Sequence, residues 1–398
     1  MNFNPEEFVK RQIDNIKNKI GDEKAIVAVS GGVDSTTSAV LTYKAIGENL
    51  ICVFIDDAFM REGEPEKVTK LLSAPPINLP VRIINARERF LNALKGLRDA
   101  EEKRKAFRET FYQTLAEVAK KEGCSFLVQG TIKADVVETV GGVKTQHNVL
   151  AQVGIDPAER FGFQVVEPVA ELYKEQVRMV ARHLGLPPEI SERQPFPGPG
   201  LAVRVVGEIR EEKLETLKKA TSIVEEFLAK YKPSQYFAAI IDNKERVDRG
   251  RQLHVREVTA RQLNVPSRNV EVKIFEDKAT GLKGGRRLYG DIAAITTSEN
   301  GKTHAAQLPR LISLQTKIIT EMPSFTRVLY ATSKSDEEKD YVIAIRAVKT
   351  RDFLTAQVAD IPWETLQEAG EKILEVCQNV SVVYYDVTPK PPATIEME

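Results

Sequence analysis

Apolar residues in the first half of the chain gather into five short runs, at 25–29, 50–55, 81–84, 126–128 and 163–166, with helical spacing between them. Runs of this length without polar interruption predict strands buried on both faces. Strands alternating with helices predict an α/β fold around a parallel sheet, whose ligands sit at the carboxyl ends of the strands. Ser30, Asp56 and Gly130 fall at such ends. A Pro/Gly-rich stretch at 194–201 stops the alternation and reads as a rigid connector, which sets domains at 1–205 and 206–398. The second domain opens with a helix at 211–231 and continues in apolar runs at 235–241, 270–275, 341–347 and 380–385, an α+β pattern. No internal repeat or low-complexity tract is visible, and 281–285 reads as a mobile loop.

The first strand runs directly into Ser30-Gly31-Gly32-Val33-Asp34-Ser35, and a helix is expected over 36–46. Glycines at a helix N-terminus let main-chain N–H groups of the turn, Val33 included, approach an anion. The hydroxyls of Ser30, Ser35 and Thr36 add donors, and Asp34 either holds Mg²⁺ or orders the loop. No Walker lysine follows, which argues against cleavage at a γ-phosphate and points to pyrophosphate.

Composition narrows the function classes. Lys plus Arg and Asp plus Glu are equal at 57 each, so the chain has no basic excess of the kind that marks a nucleic-acid binder. The local run from Lys283 to Arg287 reads equally well as a solvated turn or a phosphate contact. Cys52, Cys124 and Cys377 are odd in number and scattered, offering neither a disulfide framework nor a zinc site, which fits a reducing cytoplasm. The first residues open an amphipathic helix rather than a signal core, and no run reaches membrane-spanning length.

The Ser30–Ser35 segment resembles the S-G-G-x-D-S loop of the N-type ATP pyrophosphatases, of adenine nucleotide alpha hydrolase-like fold, which adenylate a carbonyl oxygen and release pyrophosphate. Further segments resemble the GMP synthase family in that family's order. They are 54–61 around Asp56, the helix start Glu101-Glu102-Lys103-Arg104-Lys105, Gln129-Gly130-Thr131 with Asp135 and Glu138, Lys144 to Asn148 with His147, 193–201, and the ending Lys390 to Glu398. The likeness thins from about 232 to 335.

The resemblance implies ATP and Mg²⁺ as cofactors. Ser30, Gly31, Gly32, Val33, Asp34, Ser35, Thr36, Asp56 and Gly130 would bind ATP, and Asp34, Lys144 and Asp135 would serve catalysis. Asp135 and Glu138, three apart, can project from one helix face and hold the metal, or else act as a structural cap. Arg104, Arg287, Lys390 and Glu396 would bind XMP, the cations at its phosphate and the carboxylate at purine N–H groups.

The chemistry implied is attack of XMP O2 on the ATP α-phosphorus, then displacement of AMP by ammonia. No glutaminase elbow surrounds any cysteine, so ammonia is expected from a separate glutamine amidotransferase subunit or from solution. The family further implies an α+β dimerisation domain and a homodimer joined through it.

Departures fall on the acceptor half. Gln146 and Gln194 replace histidines, Met397 replaces a tryptophan, Glu321 stands for a glutamine, and Gly285 occupies the place of an XMP-binding aspartate. Two other readings follow: an enzyme of the same chemistry with another nucleotide or a tRNA base as acceptor, and a non-catalytic nucleotide-binding relative.

Overall fold

The computed structural model describes residues 3–133, 162–192, 194, 196–299, 302–351 and 354–398. Its contacts divide the chain into two compact units, one of residues 1–93 and 106–198, the other of 94–105 and 199–398. The short segment 94–105, which the sequence grouped with the first domain, thus packs with the second unit.

The first unit is built on five strands, β1 (Lys24–Ala28), β2 (Leu50–Asp56), β3 (Val81–Asn85), β4 (Cys124–Val128) and β5 (Gln164–Val166). They pair in parallel in the order β3-β2-β1-β4-β5. Helix α1 (Pro5–Ile20) starts where the Asn4 side chain accepts from the N–H groups of Glu6 and Glu7, and it buries Phe8, Val9, Ile16 and Ile20. Helix α2 (Val33–Ile46) packs against α1, with Ala39, Val40 and Leu41 in the same core as β1 and β2. From β1 the chain winds outward through β2 and β3, and β4 returns on the opposite side of β1. The order reverses between β1 and β4, and that reversal opens a crevice at their carboxyl ends.

Among the described residues this half of the chain also carries helices α3 (Glu64–Ser73), α4 (Arg87–Leu94), α5 (Ala100–Glu122), α6 (Lys174–His183) and α7 (Pro188–Ser191).

The second unit carries helices α8 (Glu211–Leu228), α9 (Arg249–Leu263), α10 (Leu308–Glu321) and α11 (Trp363–Val376). Its long strands are β6 (Gln235–Asp242), β7 (Val270–Lys283), β8 (Arg286–Glu299), β10 (Phe325–Lys334), β11 (Tyr341–Lys349) and β13 (Val380–Asp386). They form one mixed sheet in the order β6-β11-β13-β10-β8-β7, with the two-residue strands β9 (Lys302–Thr303) on β8 and β12 (Gln357–Val358) on β11. Helix α8 stops three residues earlier than the expected 231, and Ala229–Tyr231 tightens into a 3₁₀ turn.

The expected loop at 281–285 is instead the end of a hairpin. Gly281 to Lys283 belong to β7, and only Gly284 and Gly285 turn, with φ of +56° and +75°. Two consecutive positive φ values suit the tight two-residue turn that joins twisted antiparallel strands, and glycine takes them without strain.

Gly130, just past β4, has a packing reason of its own. A Cβ added there would lie 2.7 Å from the Ser35 nitrogen and 2.9 Å from the Asp34 carbonyl carbon, inside the first turn of α2. Gly130→Ala is therefore expected to destabilise the first unit by about 1–3 kcal/mol, the usual cost of overpacking against backbone. A thermal melt equal to the parent's would show that α2 has slack to move.

Candidate functional site

The turn between β1 and α2 is ordered by its own serines. Ser30 N–H donates to Ser35 Oγ at 3.3 Å, the two hydroxyls lie 3.2 Å apart, and Gly32 N–H reaches Ser30 Oγ at 3.4 Å. Gly31 supplies φ +73°, and the Gly32 carbonyl accepts from Thr36 N–H, closing the first turn of α2. Ser30 is exposed, Gly32, Asp34 and Ser35 are partly so, and Val33 is buried. This is an open helix N-terminus at the switch point of a parallel sheet, a position that favours phosphate oxygens. Thr36 is placed differently from the expectation. It is fully buried, with its hydroxyl turned away from solvent.

Asp34 is the polar centre of this turn. Its Oδ2 lies 2.6 Å from Lys174 Nζ, at the first residue of α6, while its Oδ1 is buried with no partner among the described residues. A carboxylate oxygen in that position is a free ligand, and it suits Mg²⁺, which takes one or two carboxylates together with substrate phosphates. The Lys174 cation sits against the positive end of α6, where the helix dipole disfavours it, so its compensation comes from Asp34 or from an anion. Sequence reading missed Lys174, since nothing local in the sequence ties it to a loop 140 positions away. Among the described residues, no three His, Cys, Asp or Glu side chains gather as a metal centre.

At the end of β2, Asp56 Oδ1 accepts from Ala58 N–H at 3.2 Å and lies 3.5 Å from Arg87 Nη1. Asp57 beside it is buried and accepts from Phe59 N–H at 2.8 Å. Burial pushes its carboxyl up to about 7, and the nearby Asp56 and Glu64 charges act in the same direction. Arg61 pairs with Glu64 at 3.4 Å and lies over the Phe196 ring at 4.3 Å.

The residues expected to bind the acceptor lie in the second unit. Arg104 and Arg287 share one carboxylate, Glu101 Oε1, at 2.7 and 2.9 Å. Arg104 also donates to the Glu398 main-chain oxygen, and its burial lowers the guanidinium's affinity for its proton. Lys390 joins Ala356 through two main-chain hydrogen bonds and is half-buried.

Glu396 is put to another use. Both of its oxygens are taken by Arg204, at 2.9 Å each, with the pair 2 % and 5 % exposed, so no carboxylate edge faces a ligand. The buried acid with mixed partners is Glu398 instead. It meets Lys103, Gly207 N–H at 2.8 Å and Tyr289 Oη at 2.7 Å.

Three of the departures also find their places. Glu321 Oε2 lies 2.6 Å from His254 Nε2, Met397 is fully buried in the core with Phe275 and Tyr384, and Gly285 is at the hairpin tip. Asp135, Glu138, Lys144, Gln146 and His147 lie outside the described residues.

Comparison with known proteins follows this division. The NAD synthase family matches residues 6–214 and the GMP synthase C terminal domain family matches residues 334–397. The hairpin tip with Gly285 and Arg287 lies in neither range. A glutamine-hydrolyzing GMP synthase subunit of Sulfurisphaera tokodaii is 44% identical over 398 residues, covering all of both chains. The subunits of the same name from Saccharolobus solfataricus and Methanopyrus kandleri are 44% and 40% identical over 396 and 403 residues, again covering all of both chains.

Asp57 gives this region a pH dependence. Because its folded-state affinity for the proton is raised, its contribution to stability is full below the ordinary carboxylate range and is lost as pH rises towards about 7. Asp57→Asn removes that titration. Urea midpoints at about pH 5 and about pH 8 should show the variant gaining on the parent at the higher pH, whereas an equal difference at both would refute the shift.

Proposed function

The chain belongs to this family of glutamine-hydrolyzing GMP synthase subunits, and from that premise we propose how its residues divide the work of making GMP from XMP, ATP and ammonia. It is an ATP-dependent ligase. The carrying observation is the Ser30–Ser35 turn, a partly exposed helix N-terminus at the switch point of a parallel sheet with Asp34 at its centre.

In this reading the main-chain N–H groups of the turn and the hydroxyls of Ser30 and Ser35 hold the phosphates that leave as pyrophosphate. The XMP O2 attacks the α-phosphorus. The bond from that phosphorus to the bridging oxygen breaks, and pyrophosphate departs with the electron pair. Ammonia then adds at C2, loses a proton, and AMP leaves. No protein nucleophile is required, so the protein's part is orientation and charge neutralisation.

Lys174 faces the charge that builds on the leaving group, and Asp34 would hold Mg²⁺ through its free oxygen, with Asp135 and Glu138 as further ligands. The ion supplies charge neutralisation on the phosphates. Asp56 and Gly130 belong to the ATP side, Gly130 by letting α2 approach β4 closely. Lys144 is proposed to assist at the phosphates. Arg104, Arg287 and Lys390 would take the XMP phosphate, while Glu398, buried against Lys103, Gly207 and Tyr289, holds the chain's last residues beside Arg104.

The relatives are named as one subunit of a glutamine-hydrolyzing enzyme, which supports a separate glutamine amidotransferase chain as the ammonia source. The three free cysteines favour the cytoplasm as its compartment. Among the described residues no helix is long and apolar enough to cross a membrane.

Purified chain given ATP, Mg²⁺, XMP and ammonium is expected to release pyrophosphate only when XMP is present, and to form GMP without a glutaminase. Pyrophosphate with another nucleotide but none with XMP would transfer the reading to a different acceptor. Asp34→Ala is expected to reduce pyrophosphate release by at least about 100-fold while the melting profile stays that of a folded protein. Lys174→Met should also lower kcat, by about 10- to 1000-fold, and full activity in either variant would remove that residue from the mechanism.

A further inference from the structure

The sheet of the second unit repeats one module, and the parts outside the repeat collect at one place. One copy is α8, β6, β11, α11 and β13, and the other, inserted between β6 and β11, is α9, β7, β8, α10 and β10. In each, the first two strands pair antiparallel and the second and third pair parallel. Met322 N–H donates to the Ile318 carbonyl at the end of α10, as Cys377 N–H does to that of Ile373 at the end of α11, both at 2.8 Å. The copies join along a seam where β10 pairs with β13, Tyr330 opposite Tyr385.

Register shows where the copies stop matching. Tyr330 pairs with Ile295 and Tyr385 with Ile345, so Asp291 on β8 corresponds to Tyr341 on β11. Tyr341 with Asp242 ends the pairing of β6 and β11, whereas β7 and β8 run on past Asp291, from Ala279 with Gly290 to Lys283 with Arg286. This arm is one addition. The other is residues 387–398, since β10 leads through 335–340 straight into β11 and has no such segment after it. The two additions bind each other. The Thr280 and Leu282 N–H groups of the arm donate to the carbonyls of Met397 and Pro392, at 2.8 and 2.6 Å. Gly281 permits the approach, because a Cβ there would lie 2.9 Å from the Pro392 oxygen.

Arg287 and Tyr289, two apart, leave the arm on one face of β8. Tyr289 Oη lies 2.7 Å from Glu398 Oε1 and 3.2 Å from the Arg98 carbonyl, which fixes the arm beside the first turn of α5. There Arg287 and Arg104 meet at a single oxygen, Glu101 Oε1, at 2.9 and 2.7 Å. Two cations on one anion leave an excess positive charge that a further negative charge would relieve. Arg104 also has an unused donor, for the residue is 7 % exposed and its Nε is buried without a partner. The helix main chain offers little to an anion here, because the Asp99 side chain accepts from the N–H groups of Glu101 and Glu102 at 2.9 and 3.0 Å.

Glu101 differs from Arg104 in exposure, 63 % of its side chain facing water against 8 %. A carboxylate so exposed is held weakly and turns into solvent at little cost. A phosphate ester above its second pKa of about 6 carries close to two negative charges, and its terminal oxygens can accept from both guanidiniums in fork geometry. It outcompetes one shared carboxylate oxygen. A nucleoside without phosphate leaves the Glu101 contacts in place and gains nothing from these arginines.

We propose that Glu101 is a specificity-determining carboxylate that competes with the acceptor's phosphate for Arg104 and Arg287, so that a doubly charged phosphate ester displaces it and an uncharged nucleoside does not. This deepens the XMP reading and rests on its assignment of the two arginines to the acceptor's phosphate. Calorimetric titration of the full chain with inorganic phosphate near pH 8 tests the competition without turnover, and any phosphate held at the Ser30–Ser35 turn is common to parent and variants. Glu101→Gln should bind phosphate about 3- to 10-fold more tightly than the parent, the scale of two exposed ion pairs. Glu102→Gln makes the same charge change one residue on and should alter the affinity by less than about 2-fold. In an Arg287→Ala background the gain from Glu101→Gln should vanish. Unchanged or weaker binding in Glu101→Gln, an equal gain in Glu102→Gln, or a gain that persists without Arg287 would each overturn the proposal. Titrated in the same way, XMP should follow phosphate while xanthosine shows no difference between parent and Glu101→Gln. Phosphate obeying this pattern while XMP fails to bind would uphold the competition at Glu101 and sink the XMP reading instead.

Discussion

Three guanidinium groups removed from water constrain the second unit more than any other feature. Arg327 and Arg346 are fully buried and Arg204 is 2 % exposed. An unpaired ion in such a place costs several kcal/mol, so each must find acceptors for its N–H groups. Two carboxylates do not suffice. Asp386 serves both Arg327 and Arg346, Glu396 serves Arg204, and further acceptors are the Thr394 hydroxyl and main-chain oxygens. Arg346 donates to the carbonyls of Ile395, Thr388 and Thr394, and Arg327 to those of Thr280 and Glu396. The segment 388–396 is thereby the solvation shell of the arginines, and its fixed path delivers Glu398 to Lys103, Gly207 and Tyr289.

The same constraint explains why Glu396 was misread from sequence. A charged residue in a segment of mixed polarity looks available, because the chain around it shows no partner within helical or strand reach. Its partner, Arg204, is 192 positions away. The turn at 30–35 was legible for the opposite reason. Strand, glycines, hydroxyls and helix follow one another directly, so its chemistry is carried by adjacent residues. Lys174 shows the limit even there, since sheet topology rather than spacing brings α6 to the first turn of α2.

Alternation of apolar runs gave the strands of the first unit to within a few residues, but the duplication in the second escaped detection. What the two modules share is hydrogen-bond pattern and burial, and both tolerate exchange among Leu, Ile, Val and Ala. Leu314 stands where Ala369 does, and Ile292 where Val342 does, with every one of these side chains buried. Conserved topology with substituted apolar residues leaves little identity for a sequence to display. The glycine-bearing stretch 281–285 failed for a related reason: glycine marks both mobile loops and tight hairpin turns, and only the pairing of Leu282 with Arg287 separates them.

One buried position where the modules differ in charge shows how a duplicated fold can keep a single site. Arg346 on β11 corresponds to Thr296 on β8, as their strand registers place Ile345 and Ile295 just before them. Both positions are buried, at 0% and 4% exposure, but only the arginine must be solvated by a following segment. That segment exists after β13, whereas after β10 the chain turns within six residues into the next strand. A second arginine at 296 would therefore be buried without those carbonyls, at a cost the inserted module could not offset. Charge and the ordered segment go together on one side of the seam. The other side, neutral at this position, provides shape, a closed edge and Arg327 reaching across.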